Sequence, residues 1–256
     1  MSHKRTVVIT GAAGRLGTYL RSSLPEIATT GRLVDIVAPL SPAPGEPVEI
    51  HQGSVTDPEL LEVVCRGADA VVHLGGYAGD APWAELSAVN ISGTRQVLDA
   101  ARRNGVGRVV VASSNHAVGL RTRGAEPLAD DVPVLPDSPY GVSKAAGEAL
   151  SAFYSLKYSM DVICLRIGSC FDKPENRRML STWLSPADFV RLTKAALETP
   201  EPGFRLVWGV SANTRRWWST VGGDAIGFSP KDDAERFAEL YPGSPPEPEY
   251  VGGLTL

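Results

Sequence analysis

Apolar residues in this chain gather in short, β-branched runs, and the segments between them repeat their apolar positions at helical spacing. "TVVIT" (6–10), "LVDIV" (33–37), "VEIHQ" (48–52), "DAVVHLGG" (69–76), "RVVVAS" (108–113) and "DVICLRIG" (161–168) predict six strands. Leu16, Leu20 and Leu24 lie four apart and predict a helix after the first strand. A second helical segment centres on Leu60–Val64. A long helix is expected over 84–105, closed by Gly105. Another spans 140–158, with Pro139 suited to its first turn. The strands are apolar on both faces and alternate with helices, the pattern of a parallel sheet covered on two sides. The expected class is α/β. After Gly168 the rhythm fades. Helices are expected over 185–198, N-capped by Ser185, and over 232–241. Pro242–Pro248 reads as an exposed strap or frayed end.

Composition narrows the class of function. The 256 residues are 43% hydrophobic and 21% charged, enough for one packed domain and too apolar for global disorder. The net charge is −4, and His3-Lys4-Arg5 is too short a basic run to grip a phosphate backbone, so no nucleic-acid partner is expected. No apolar run approaches the roughly 20 residues of a membrane span, and no signal-peptide pattern opens the chain. Cys65, Cys164 and Cys170 are odd in number and form no CxxC pair. Neither a disulfide framework nor a metal site is expected, and a reducing cytoplasm suits such a chain.

"TGAAGRLG" (10–17) carries Gly11, Gly14 and Gly17 between the first strand and the first helix. Glycines there allow a tight turn and close approach of a pyrophosphate, while the helix N-terminus offers free N–H groups and partial positive charge. This context predicts a Rossmann-type, doubly wound sheet that binds a dinucleotide. Asp35, near the end of the second strand, can accept both ribose hydroxyls and would repel a 2′-phosphate, which favours NAD over NADP. Arg15 argues the other way, because an arginine in this turn could meet a 2′-phosphate.

"YGVSK" sets Tyr140 and Lys144 at i and i+4, on one helix face. A tyrosine has an ordinary pKa of about 10 and is a poor base at neutral pH. A neighbouring ammonium and a cationic nicotinamide ring would favour its phenolate. Tyr140 could then act as general base for an alcohol. "VVVASSNHAVG" (109–119) ends an apolar strand in Ser113, Ser114, Asn115 and His116. Ligands of parallel sheets sit at the carboxyl ends of strands, so Ser114 can hold the oxygen that Tyr140 deprotonates.

The glycine turn, "HLGG", "VNISGTRQVLDAA", the "SS" pair and YxxxK resemble the extended short-chain dehydrogenase/reductase family as far as about residue 170. The resemblance implies a core over about 1–168 and a small substrate-binding C-terminal portion over about 169–256, within a single domain. It implies a catalytic Tyr140, Lys144 and Ser114. NAD would contact Gly11, Gly14, Arg15, Leu16, Gly17, Asp35, Ser54, Val55, Leu74, Gly75, Gly76, Asn90, Tyr140, Lys144 and Ile167. "ASSNHAVG", "RIGSC", "RRMLSTWLS" and "VWGVSAN" are similar to the branch of that family that oxidises uronic acids. That similarity implies oxidation of D-galacturonate or D-glucuronate at C1 to the aldarolactone. Ser114, Asn115, His116, Tyr140, Ser169 and Arg178 would line the sugar pocket. Arg178 could grip the carboxylate with two donors. A homo-oligomer is expected from relatives that associate through helices flanking the sheet.

Two positions depart from the family pattern. "LGGYAGD" has Ala78 where the family carries a serine that touches the sugar, with a bulky Tyr77 before it, and "QGSVTD" has Ser54 where an aspartate usually meets adenine. A related aldose dehydrogenase or a sugar epimerase is the alternative enzyme. A non-catalytic, dinucleotide-sensing regulator is the alternative of another class.

Overall fold

The computed structural model describes residues 5–242 and 249–253. Strand β1 (Thr6–Thr10) feeds helix α1 (Arg15–Ser22), and β2 (Thr30–Asp35) and β3 (Val48–Gln52) come next. Helix α2 (Pro58–Cys65) leads to β4 (Ala70–His73). Beyond it lie the short α3 (Trp83–Glu85), a π-helical stretch (Leu86–Gly93) and α4 (Thr94–Arg103). Strand β5 (Arg108–Ser114) is followed by helix α5 (Pro139–Tyr158) and β6 (Asp161–Ile167). The remainder holds β7 (Ser169–Cys170), α6 (Met179–Thr182), β8 (Trp183–Leu184), α7 (Pro186–Glu198), β9 (Phe204–Gly209) and α8 (Val221–Ala225).

Seven strands pair in parallel in the order β3-β2-β1-β4-β5-β6-β9. This is the doubly wound arrangement the alternation predicts. Successive side chains of a strand face opposite sides. Val7 and Ile9 of β1 join one apolar layer with Leu20 and Phe189, beneath α1 and α7. Val8 joins the other with Val97 and Leu98, beneath α2, α4 and α5. Each such buried side chain contributes about 1.5–3 kcal/mol. Strand order reverses between β1 and β4, whose ends are brought level by Thr10 pairing with His73. A crevice opens where that reversal parts the connections.

Several elements differ from expectation. Strand β2 stops at Asp35, and Ile36 and Val37 lie beyond it, 67% and 63% exposed. The helix expected over 84–105 widens into the π-helical stretch at Leu86–Gly93, on which Asn90 sits. The segment expected as a helix over 232–241 is a 3₁₀ turn (Ala234–Leu240) capped by Asp233. Strand β9 was not signalled by pattern, because its first three residues are only partly covered and its apolar run is short. It lies beyond Gly168 and still supplies the seventh strand of the main sheet.

Residues 243–248 of the expected strap, like His3 and Lys4, lie outside the described residues. The segment at 249–253 is docked: Val251 is fully buried among Val118, Trp208, Val210 and Trp218. Its N–H donates to Arg121 O, and that of Gly252 to Gly119 O.

Candidate active site

A cleft of about 990 Å³ runs along the carboxyl ends of the strands, from Asp35 at one end to Arg178 at the other. Of the residues singled out from sequence, Gly11, Gly14, Arg15, Leu16, Asp35, Ser54, Val55, Leu74, Gly75, Gly76, Ser114, Asn115, His116, Tyr140, Lys144, Ile167, Ser169 and Arg178 line it. Gly17 and Asn90 do not. A Cβ on Gly17 would lie 2.5 Å from Gly11 O, so this glycine lets helix α1 pack on the turn. Asn90 accepts from Tyr77 N at 2.8 Å and donates to Tyr77 O and Ser143 Oγ, which holds the Tyr77 loop from behind.

The dinucleotide half is built on backbone. Gly11 has φ +71°, and a Cβ there would collide with Leu74 C and Gly75 N at 2.7 Å. The ends of β1 and β4 are thus close enough to form one cradle. No side chain caps α1 at Gly14, and its first turn carries no acid, so its N–H groups and partial positive charge are left for an anion. Asp35 accepts from Ala13 N at 2.9 Å and from Val37 N at 3.1 Å, which ties the end of β2 to the glycine turn. These features fit a dinucleotide pyrophosphate and an adenosine ribose. Arg15 is turned away from the 2′-phosphate role considered for it. It donates to Cys170 O at 3.4 Å and stacks on Phe171, 4.0 Å from the ring centroid, bridging the two halves of the cleft. The Ser54 hydroxyl is engaged by Thr56.

Behind the cradle a buried chain of hydrogen bonds sets the strand ends. Thr94 Oγ1 donates to Asn90 O at 2.6 Å, so its lone pair receives His73 Nε2–H at 3.0 Å. Nδ1 then accepts from Thr10 Oγ1 at 2.7 Å, and that oxygen accepts from Gly75 N. Burial first, and the charge of Lys144 second, push His73 down to about 3, so the ring is neutral.

The chemical half gathers at β5 and α5. Ser138 caps α5 by accepting from Gly141 N at 3.0 Å, which sets Tyr140 in the first turn. Tyr140 is hydrogen-bonded to Ser114. Burial pushes the phenol up to about 12, the Ser114 hydrogen bond pulls it back, and the charge of Asp137 adds to the rise. The lowering expected from Lys144 is therefore not what this geometry gives, because desolvation of a buried phenolate outweighs an ammonium engaged elsewhere. Lys144 Nζ donates to Ala112 O at 2.9 Å and lies 5.7 Å from the Tyr140 ring centroid. Burial pushes the amine down to about 8.

At the far end, Asn115 Nδ2 donates to Val251 O at 3.1 Å, and Arg178 Nη2 donates to the same carbonyl. The docked C-terminal segment thus fixes two residues of the cleft, a role that the Pro- and Gly-rich run before it gave no reason to expect. Ser169 pairs with Thr182 at 3.0 Å. Ala13, Phe171 and Met179 also line the cleft and were not singled out from sequence. Ala13 sits inside the glycine motif and was legible there. Met179 lies within the quoted "RRMLSTWLS" stretch, and nothing local marked Phe171.

This chain belongs to the NAD dependent epimerase/dehydratase family, whose profile matches residues 7–203. It is 39% identical to a uronate dehydrogenase of Pseudomonas syringae pv. tomato over 256 residues, 98% of this chain and 92% of that one. A point variant of uronate dehydrogenase from Agrobacterium tumefaciens, complexed with NAD, superposes with a TM-score of 0.90 at 39% identity, covering 98% of this chain and 96% of that one. A glucuronic acid dehydrogenase from Chromohalobacter salexigens gives 0.91 at 37% identity over 97% and 95%.

Proposed function

We propose that this chain oxidises D-galacturonate or D-glucuronate at C1 with NAD, giving the aldarolactone. One observation carries the reading: a single cleft joins the glycine cradle and Asp35 to the hydrogen-bonded Tyr140–Ser114 pair and then to Arg178. Asp35 suits the two ribose hydroxyls of NAD. Arg178 suits a carboxylate, and hydrogen bonds to charged groups contribute about 1.5–3 kcal/mol. The likeness to uronate dehydrogenases over nearly the whole chain supports the same substrate class.

Ser114 holds the C1 hydroxyl, and Tyr140 Oη receives its proton. The C1–H bonding pair leaves as hydride and the C1–O bond becomes a carbonyl, so the ring hemiacetal becomes a lactone. NAD supplies the acceptor for that hydride and, as a cation, favours the phenolate. Tyr140 is a neutral phenol until such a charge is near, which restrains proton transfer before the cleft is filled. Lys144 keeps its amine beside the phenol through Ala112 O. Asn115 and His116 face the sugar hydroxyls.

A reducing cytoplasm fits the three free, buried cysteines. Exposed Phe153 and Leu156 on α5 fit the expected homo-oligomer, which light scattering checks. The main test is a panel of uronates and neutral aldoses with NAD and NADP. NADH formation with uronates is expected, at a kcat/KM above that of the matching neutral aldoses. Oxidation of neutral aldoses alone would replace this reading with the aldose dehydrogenase. No turnover by protein that binds NAD would favour the regulator.

A further inference from the structure

His116 sits between two cavities: the main cleft and a neighbouring one of about 240 Å³, and Tyr140 borders both. The imidazole meets Tyr140 edge-on, with ring centroids 5.7 Å apart. Its Nδ1 lies 2.9 and 3.0 Å from the two oxygens of Asp137, a side chain only 2% exposed. Its Nε2 takes no hydrogen bond within the described residues. Asp137 precedes the Ser138 cap of α5 and accepts from the Ser138 hydroxyl at 3.1 Å. Two backbones wall it in: a Cβ on Gly119 or on Gly252 would lie within 2.0 Å of Asp137 Oδ2. Burial alone would raise this carboxyl, but the hydrogen bonds from His116 and the Ser138 hydroxyl outweigh it and hold the group below the ordinary carboxylate range.

A carboxylate can only accept, so it fixes the proton of a neutral imidazole on Nδ1 and leaves Nε2 as a bare acceptor. The geometry points to Asp137 as a positioning residue for the proposed oxidation: it sets His116 to accept from a sugar hydroxyl, so that this wall of the cleft selects a donating group on the substrate. The inference rests on the proposed uronate oxidation for its substrate. The docked C-terminal segment is part of the device, because Gly252 closes the space around the carboxylate.

Two measurements on the full chain test this. In mildly alkaline buffer, ¹⁵N NMR of the histidine rings should find His116 with its proton on Nδ1. A proton on Nε2 would overturn the proposal, and this holds whether or not a uronate proves to be the substrate. Kinetics with galacturonate and NAD test the consequence. Asp137→Asn removes the charge and can present either its amide oxygen or its N–H to Nδ1, so the proton is no longer fixed on Nδ1 and Nε2 can become a donor. KM for the uronate should rise about tenfold, the worth of one hydrogen bond, while kcat should not fall, because the lost Asp137 charge is one that raises the Tyr140 phenol, and NAD affinity should be untouched. His116→Ala should cost about as much, and adding Asp137→Asn to it should cost nothing further. Additive losses, or weakened NAD binding in Asp137→Asn, would mean that Asp137 serves only the fold. A parent enzyme that leaves uronates unoxidised would defeat the functional reading, while the NMR result would still decide the pairing.

Discussion

Removing the Glu148 carboxylate should destabilise the fold more than any other single change at the cleft's back wall. Glu148 on α5 and Arg166 on β6 are 4% and 1% exposed. Arg166 Nε and Nη2 donate to the two carboxylate oxygens at 2.9 and 2.8 Å, and Ser113 Oγ donates to one of them at 2.6 Å. Arg166 Nη1 donates to Asp130 O and Val132 O. Glu148→Ala therefore removes three charge-assisted hydrogen bonds and leaves a buried guanidinium with two of its four hydrogen bonds lost. Breaking a buried pair in this way costs about 3–5 kcal/mol. At about 2–4 °C per kcal/mol for a chain of this size, Tm should fall by roughly 6–20 °C. Urea unfolding followed by circular dichroism measures the loss directly. The double variant Glu148→Leu/Arg166→Met removes both charges together and should be more stable than Glu148→Ala, although the carbonyls of 130 and 132 lose their donor. A loss below about 1 kcal/mol in Glu148→Ala, or a double variant less stable than Glu148→Ala, would refute this reasoning.

Two further predictions concern the dinucleotide half. His73 has a native pKa of about 3, below its ordinary value of about 6.5. Between those values the unfolded chain binds a proton that the native chain does not, so stability falls as pH falls, by about 1.4 kcal/mol per pH unit for this group. Unfolding free energies from about pH 6 to about pH 5 should drop more steeply in the parent than in His73→Gln by that amount, and equal slopes would contradict a neutral His73. Asp35→Ser removes the acceptor for Ala13 N and the charge that repels a 2′-phosphate. NAD should bind about tenfold more weakly, and the NADP-to-NAD ratio of kcat/KM should rise at least as much. An unchanged ratio would remove Asp35 from cofactor choice.

Local chemistry is legible in the sequence. The turn at Gly11–Gly17 joins a β-branched run to a leucine-spaced helix, and Tyr140 and Lys144 share a face because a helix repeats every 3.6 residues. Strand β9 escaped because an edge strand needs only half of its length covered, and its partner β6 lies some forty residues away in the chain. The π-helical stretch at Asn90 answers to contacts with Tyr77 and Ser143, which periodicity does not encode. Asp137 reads as an ordinary loop acid three residues before the tyrosine. Its burial depends on Gly119 and Gly252, distant in sequence, so only the folded chain reveals its pairing with His116. The rise of the Tyr140 pKa has the same origin: the ammonium one turn away is visible in the sequence, but the depth of burial is not.

The central step of the proposed reaction is the transfer of the C1–OH proton to Tyr140, and Tyr140→Phe tests it. The variant keeps the ring and loses only the oxygen that pairs with Ser114. NADH formation from galacturonate or glucuronate should fall by at least about a hundredfold, within the usual worth of a general base, while NAD binds as in the parent. A variant that binds NAD normally and forms NADH at the parental rate would contradict the role of Tyr140 as the base.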